Sequence, residues 1–239
     1  MWKKWLSFRH YRLVRGPLTY NQDGLATKHN CDFIHDPRFA GAYQRGKETG
    51  SWRGAEIHWR AYVACWAAER ACGIAGDFVE CGVNKGGLAR TVMEYVDFAH
   101  LPKTFFLLDT FSGLVEKYIS PQEQKEGILP GGYEECHEHV LQVFSKFGNV
   151  KIIRGAVPET LELVNSRKVA YLSLDMNCTE PEIAAAEFFW DKMEKGAMVL
   201  IDDYGWKGHI VQKKAFDDFA CRKQAQLLSL PTGQGLIIK

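Results

Sequence analysis

Three carboxylates in the last third of the chain, Asp175, Asp202 and Asp203, are the residues best suited by type and spacing to do chemistry. Asp175 closes the apolar run VAYLSL, the doubled aspartate closes AMVLI, and Asn177 stands two residues beyond Asp175. Such an oxygen-rich set suits Mg²⁺ or another hard divalent cation. That ion can hold two vicinal hydroxyls and lower the pKa of one of them. Crowded without a cation, at least one of the acids must have a raised pKa. Asp175 is therefore a candidate catalytic residue as well as a candidate ligand. His209, in the stretch YGWKGH after the acid pair, is a second candidate for proton transfer, with a solvent-facing or helix-capping imidazole as its ordinary explanation.

Two earlier apolar runs also end in acids, FVE at Glu80 and KTFFLLD at Asp109. Any one strand-end acid has an ordinary explanation as the cap of the next helix. A cap needs one acceptor and no doubled aspartate, so the set as a whole points to a ligand. Ligands of open α/β sheets lie outside the carboxyl ends of the strands, where these acids would converge.

The elements that must position them begin with GDFVECGVNKGG, residues 76–87. A short strand carries Glu80 at its tip, Cys81-Gly82 make a small-residue turn, and Gly86-Gly87 open a helix. Glycines there let the backbone approach a nucleotide cofactor, and the acid accepts from hydroxyls or an ammonium group. Helices are expected over 55–72, 88–98 and 133–147, with strands at 103–109 and 150–154. Pro158 opens a short helix, and a longer one runs from 179 to 195, capped by Gly196 ahead of the strand 197–201. A helix over 210–222 precedes QLLSLPTGQGLIIK, which reads as a terminal β-hairpin. This alternation predicts an α/β fold: a doubly wound sheet in a three-layer αβα sandwich.

The remaining segments are less regular. Residues 1–16 carry five basic side chains among four aromatic ones and no acid. They suit a membrane-surface helix, an acidic partner, or an arm packing its aromatics on the body or on a second copy in a homodimer. Residues 21–54 read as loop with a short helix near 37–44, a lid or substrate loop. We divide the chain into 1–54, the arm and lid region, and 55–239, the cofactor-binding domain. Residues 115–132 form a flap over the site.

A net charge of +1 gives no reason to expect nucleic acid. Seven scattered cysteines without a CxxC pair favour reduced thiols and a cytoplasmic protein, and no apolar run reaches transmembrane length. There is no GxxxxGK[ST], and the glycine spacing departs from GxGxxG, which weakens kinase and nicotinamide readings. Cys136, His137 and His139 do not share a helix face, so zinc is disfavoured there. An NAD(P)-dependent oxidoreductase and a non-catalytic binding module remain the alternatives.

In order along the chain, FVECGVNKGG, LLDTFSGL, IIRGAVPETL, LSLDMN, VLIDDYGW and LPTGQGLIIK resemble the macrocin O-methyltransferase family. That resemblance implies a class I S-adenosylmethionine-dependent enzyme with a seven-stranded sheet whose last strand is antiparallel. It also implies Mg²⁺-assisted methylation of a hydroxyl on a small molecule, often a sugar. Glu80, Cys81, Gly82, Gly86 and Gly87 would then surround the methionine end of the cofactor. Asp109 would accept from the ribose, with Thr110 and Phe111 beside the nucleoside and Gly155 and Ala156 along the adenine. Asp175, Asp202 and Asp203 would hold the metal. One departure stands out: sugar-methylating members carry Asp-Gly-Asp after the fourth strand, the second acid being a proposed base, whereas this chain has Asp175-Met176-Asn177.

Overall fold

The computed structural model describes residues 16–239, so the expectation for the basic aromatic arm lies outside the described residues, Gly16 apart. The first elements form a hairpin, β1 (Tyr20–Gln22) and β2 (Leu25–Thr27). Its two-residue turn, Asp23-Gly24, has positive φ at both positions (53° and 73°), which Asp-Gly tolerates and right-twisted strands favour. Helix α1 (Pro37–Lys47) follows, with Asp36 accepting from Phe39 N at its start and proline in the first turn. The segment 21–54 is thus more ordered than an irregular loop. Phe39 and Tyr43 pack with Ile57, Ala61 and Cys65 in a small core of their own.

Beyond it come α2 (His58–Cys72), β3 (Asp77–Cys81), α3 (Gly87–Tyr95), β4 (Phe105–Asp109), α4 (Pro121–Lys125), α5 (His137–Phe144) and β5 (Val150–Arg154). Then follow β6 (Val169–Leu174), α6 (Thr179–Trp190), β7 (Met193–Ile201), α7 (Ile210–Arg222), β8 (Leu227–Ser229) and β9 (Gly235–Ile238). The seven-stranded sheet has the order β5-β4-β3-β6-β7-β9-β8. Strands β5, β4, β3, β6 and β7 pair in parallel, and β9 runs antiparallel to both β7 and β8. The chain winds outward from β3 to β5 and then returns to β6, so the strand order reverses between β3 and β6. That switch point is where a doubly wound sheet opens a crevice.

Period-2 alternation explains the three layers. Phe78, Phe105, Tyr171, Met198 and Leu236 face α2, α3 and α5, and Val79, Phe106, Leu172, Val199 and Ile237 face α6 and α7. The alanines of α2 let it lie close on the sheet: Ala64, Ala67, Ala68 and Ala71 are fully buried. Helices α1 and α3 approach so closely at Gly46 that a Cβ there would meet Thr91 Oγ1 at 1.9 Å.

Two expected elements differ. Pro158 lies in a run of turns, 157–160, that ends in a single 3-10 turn, Leu161–Leu163, instead of opening an α-helix. Helix α6 stops at Trp190, and Gly196 lies within β7 at an irregularity where Val169 and Tyr171 pair with Met193 and Met198. Its φ of 87° and its N–H to Lys239 O belong to that bulge, so it does not cap a helix.

Candidate functional site

The ladder itself brings the acids together. Gly82 N donates to Leu108 O, Asp175 N to Cys81 O, and Asp202 N to Leu174 O, each at 2.9 Å. Successive strand tips are therefore laid side by side, one sheet spacing apart. Carboxylate oxygens of Asp175, Asp202 and Asp203 all lie within 4.8 Å of one another. Asp202 and Asp203 are buried, and Asp175 is partly accessible.

Protein donors fix this cluster. Arg60, from the first turn of α2, donates through Nη1 to Asp202 Oδ2 at 2.6 Å, and Gln234 Nε2 donates to Asp202 Oδ1 at 3.1 Å. Asn177 Nδ2 donates to Asp175 Oδ1 at 3.2 Å. Desolvation, reinforced by Asp202 and Asp203, pushes the Asp175 carboxyl well above the usual range. Burial and the neighbouring Asp202 push Asp203 up to about 7. Burial opposes the charge on Arg60, but Asp202 and Asp23 hold its guanidinium above its ordinary value. Three carboxylates thus face one guanidinium that is already shared with Asp23. The donors are hard oxygens with negative charge left over, so they fit a hard divalent cation.

Two adjoining cavities meet at Gly82, Asn84, Tyr133, Asp175 and Asn177. One is walled by Asp109, Thr110, Phe111, Gly155, Ala156, residues 112–115 and Tyr118. The other reaches Glu80, Gly87, Asp202 and Asp203 beneath Trp52 and Arg53. Glu80 is 1% exposed, and its Oε2 has no partner. Burial, with Asp202 nearby, pushes its carboxyl well up, so an ammonium or hydroxyl donor would satisfy a group the protein leaves open.

The other expected cofactor residues divide by side-chain direction. Cys81 points to the opposite face from Glu80 and is fully buried among residues packing on α6 and α7, so its side chain lines neither cavity. Only its backbone serves the turn. A Cβ at Gly86 would strike the Phe144 ring at 2.6 Å, so that glycine answers to α5 packing. Gly87 does line the second cavity, and its N–H donates to Ser51 Oγ at 2.8 Å. Asp109 accepts from Val83 N (2.6 Å), Asn84 N (2.7 Å) and Phe111 N (2.7 Å). It therefore shapes the glycine turn from below as well as facing the first cavity. His209 Nε2 lies 3.8 Å from Asp203 Oδ2, and the imidazole lines neither cavity. Burial lowers its pKa. Cys136 Sγ contacts Asn84 O, whereas His139 Nε2 lies 3.0 Å from Thr49 O, so the two side chains serve different loops.

The family model for macrocin O-methyltransferase (TylF) matches residues 60–228. The chain belongs to that family. Among curated proteins it is similar to the 8-demethyl-8-(2,3-dimethoxy-alpha-L-rhamnosyl)-tetracenomycin-C 4'-O-methyltransferase of Streptomyces olivaceus, at 27% identity over 150 residues. That match covers 59% of this chain and 57% of the relative, so the chain spans little more than half of the relative's length. Among solved structures, the O-methyltransferase NovP superposes with a TM-score of 0.63 at 21% identity, covering 75% of this chain and 79% of NovP. The calicheamicin methyltransferase CalS11 gives 0.59 at 16% identity, covering 85% and 93%. At those identities the likeness is one of fold, and it is that of class I O-methyltransferases.

Several residues of this family member's site carry no sequence signal of their own. Arg60 sits in an alanine-rich, aromatic helix, and its partners lie 37 and 142 positions away. Gln234 is hidden in the turn of the terminal hairpin. Glu123, in the flap, accepts from Thr179 N (2.8 Å) and Thr179 Oγ1 (2.6 Å) while closing a capping box with Ser120. The flap thus contains a capped turn of helix fastened to the start of α6. Its Ser-x-x-Glu pattern, S120 to E123, was the available clue.

Proposed function

We propose that the protein transfers the methyl group of S-adenosylmethionine to a hydroxyl of a small molecule, with a divalent cation such as Mg²⁺ at Asp175, Asp202 and Asp203. The observation that carries this reading is the junction of the two cavities. A cradle ending in the unpartnered Oε2 of Glu80 opens directly onto three clustered acids. When bound, the cation would polarise the acceptor hydroxyl and offset the acids' charge.

The chain's own residues do the rest. Glu80 would take the ammonium of the methionine moiety, Asp109 the ribose hydroxyls, and the walls at Thr110, Phe111, Gly155 and Ala156 the adenosine. In the displacement, the C–S bond breaks as a C–O bond forms, and its electron pair leaves on sulfur, discharging the sulfonium. The hydroxyl proton goes to a carboxylate. Asn177 stands where the resemblance implies a second acid, and an amide cannot take that proton. Asp175 is the carboxylate that lines both cavities, which makes it the acceptor this geometry favours. His209, behind Asp203, would receive the proton only secondarily. Tyr133 also lines both cavities, and burial with Asp175 and Asp203 nearby pushes its phenol up to about 12, so it serves as a hydrogen-bond donor. Positioning and a preorganised field supply the rate. The rhamnosyl acceptor in the name of the Streptomyces relative supports a sugar-bearing metabolite as acceptor.

Calorimetry with S-adenosylmethionine and S-adenosylhomocysteine tests the cofactor. Micromolar binding of both is expected, and no binding of either at high micromolar concentration sinks the reading. Asp203→Ala separates the roles: turnover should vanish with cofactor affinity nearly intact, and parallel loss of both would move Asp203 into the cofactor site.

A further inference from the structure

Arg60 makes three charge-assisted hydrogen bonds to two acids far apart in sequence. Its Nε and Nη2 grip Asp23 Oδ2 and Oδ1 at 2.7 and 2.8 Å, and Nη1 reaches Asp202 Oδ2 at 2.6 Å. Both edges of the planar fork are used, a geometry lysine cannot reproduce. The side chains are largely hidden, with 19% of Arg60, 10% of Asp23 and 7% of Asp202 exposed. Asp23 belongs to the turn of the β1–β2 hairpin, outside the segment matched by the family model. A second contact joins the same two regions: a Cβ at Gly24 would lie 3.2 Å from the Trp206 ring, and Trp206 follows Asp203 by three residues. The ring also lies under the guanidinium, 5.8 Å from Arg60 Cζ.

We infer that Arg60 is a positioning residue that fastens the N-terminal hairpin to the acid cluster, making Asp23 a remote control on the charge the cluster presents. The guanidinium divides one positive charge between Asp23 and Asp202. Asp202 is held in place from two sides, by Arg60 on one oxygen and by buried Gln234 on the other. While Asp23 neutralises Arg60, the three acids keep their attraction for a cation. Without Asp23 the whole guanidinium charge bears on Asp202, and a cation there meets an unshielded competitor. The hairpin in turn depends on Arg60 for one of its anchors, beside the Tyr20 Oη donation to Glu56 O, and a neutralised Asp202 leaves more of the guanidinium to Asp23. Coupling between the two places is therefore reciprocal.

The cation arm of this inference rests on the function proposed above, and the hairpin arm does not. Asp23→Asn, which alters no cavity residue, is compared with wild type in Mn²⁺ titrations followed by electron paramagnetic resonance. Mn²⁺ affinity should fall about threefold or more, with S-adenosylhomocysteine affinity unchanged. Equal Mn²⁺ affinity in the two proteins overturns the inference. Hydrogen exchange of residues 20–27 in Arg60→Met, without any metal, is the second readout. Those amides should exchange several-fold faster although the substitution lies in a distant segment of the chain, and unchanged exchange overturns the inference. If wild type takes up no Mn²⁺, the cation reading falls, and the hairpin link stands or falls on the exchange result.

Discussion

Gly82 lies against the backbone of Asp175 so closely that a Cβ on it would sit 1.9 Å from the Asp175 carbonyl oxygen. Its φ of 90° is in any case a conformation that disfavours a side chain. The glycine at the tip of β3 is thus a condition for bringing the cofactor cradle beside the acid that faces it. Gly82→Ala should push the tips of β3 and β6 apart, at a cost of about 2–4 kcal/mol in stability. Thermal unfolding and S-adenosylhomocysteine calorimetry check this together: the melting temperature and the affinity should both fall. A variant with wild-type affinity would mean that the close approach does not shape the cradle.

Glu182 gives a pH dependence to stability. It is fully buried on α6, accepts from Met176 N at 2.8 Å and from Gln212 Nε2, and supports the loop that carries Asp175 and Asn177. Burial pushes its pKa from 4.5 up to about 8. The folded protein then keeps a proton that the unfolded chain has released. Stability is complete below pH 4.5 and declines as the pH rises towards 8. Gln212 Oε1 has no partner, so an amide at position 182 can donate to it once the Gln212 amide is rotated. Melting curves of Glu182→Gln should match wild type near pH 5 and lie several degrees higher at pH 8. A constant difference across that range would show that Glu182 does not titrate in the folded state.

The flap depends on Glu123. That carboxylate accepts from Ser120 N and Oγ within its own helical turn and from Thr179 N and Oγ1 on α6. Glu123→Ala leaves those donors unpaired in a buried place, and about 2 kcal/mol of stability should be lost. Because Leu114, Val115 and Tyr118 wall the first cavity, S-adenosylhomocysteine should also bind more weakly. Loss of stability with unchanged affinity would limit Glu123 to a capping role.

How much of this was legible depended on the distance over which each signal acts. Asp175 and the pair at 202–203 could be found because each ends an apolar run, and strand order then does the converging. Proximity in sequence to Glu80 sets Cys81 among the cofactor contacts but says nothing of facing, and adjacent strand residues point to opposite layers, so the Cys81 side chain lies away from the cavities. Gly196 follows a helical pattern, the ordinary signature of a C-cap, but pairing with β6 and Lys239 extends β7 back over it. The hairpin had a local mark in Asp23-Gly24, although its three-residue strands are too short to show alternation. Arg60 had none. A guanidinium that bridges positions 23 and 202 is visible only once the chain is folded.

Asn177 is the position at which this chain departs from the pattern it resembles, and its backbone shows why an amide sits well there. Its φ is 54°, in the left-handed region that asparagine tolerates better than most residues, and its Nδ2 donates to Asp175. Asn177→Asp removes that donor and sets a fourth carboxylate beside three others. Without a divalent cation, the variant should melt several degrees below wild type because the like charges repel. Added Mg²⁺ should recover most of the loss, since each carboxylate strengthens the site's affinity for a hard cation. The melting temperature of both proteins, measured with and without Mg²⁺, decides the matter. A destabilised variant that Mg²⁺ fails to rescue would leave charge repulsion at the site without a cation to relieve it, and the metal assignment of Asp175 would fall with it.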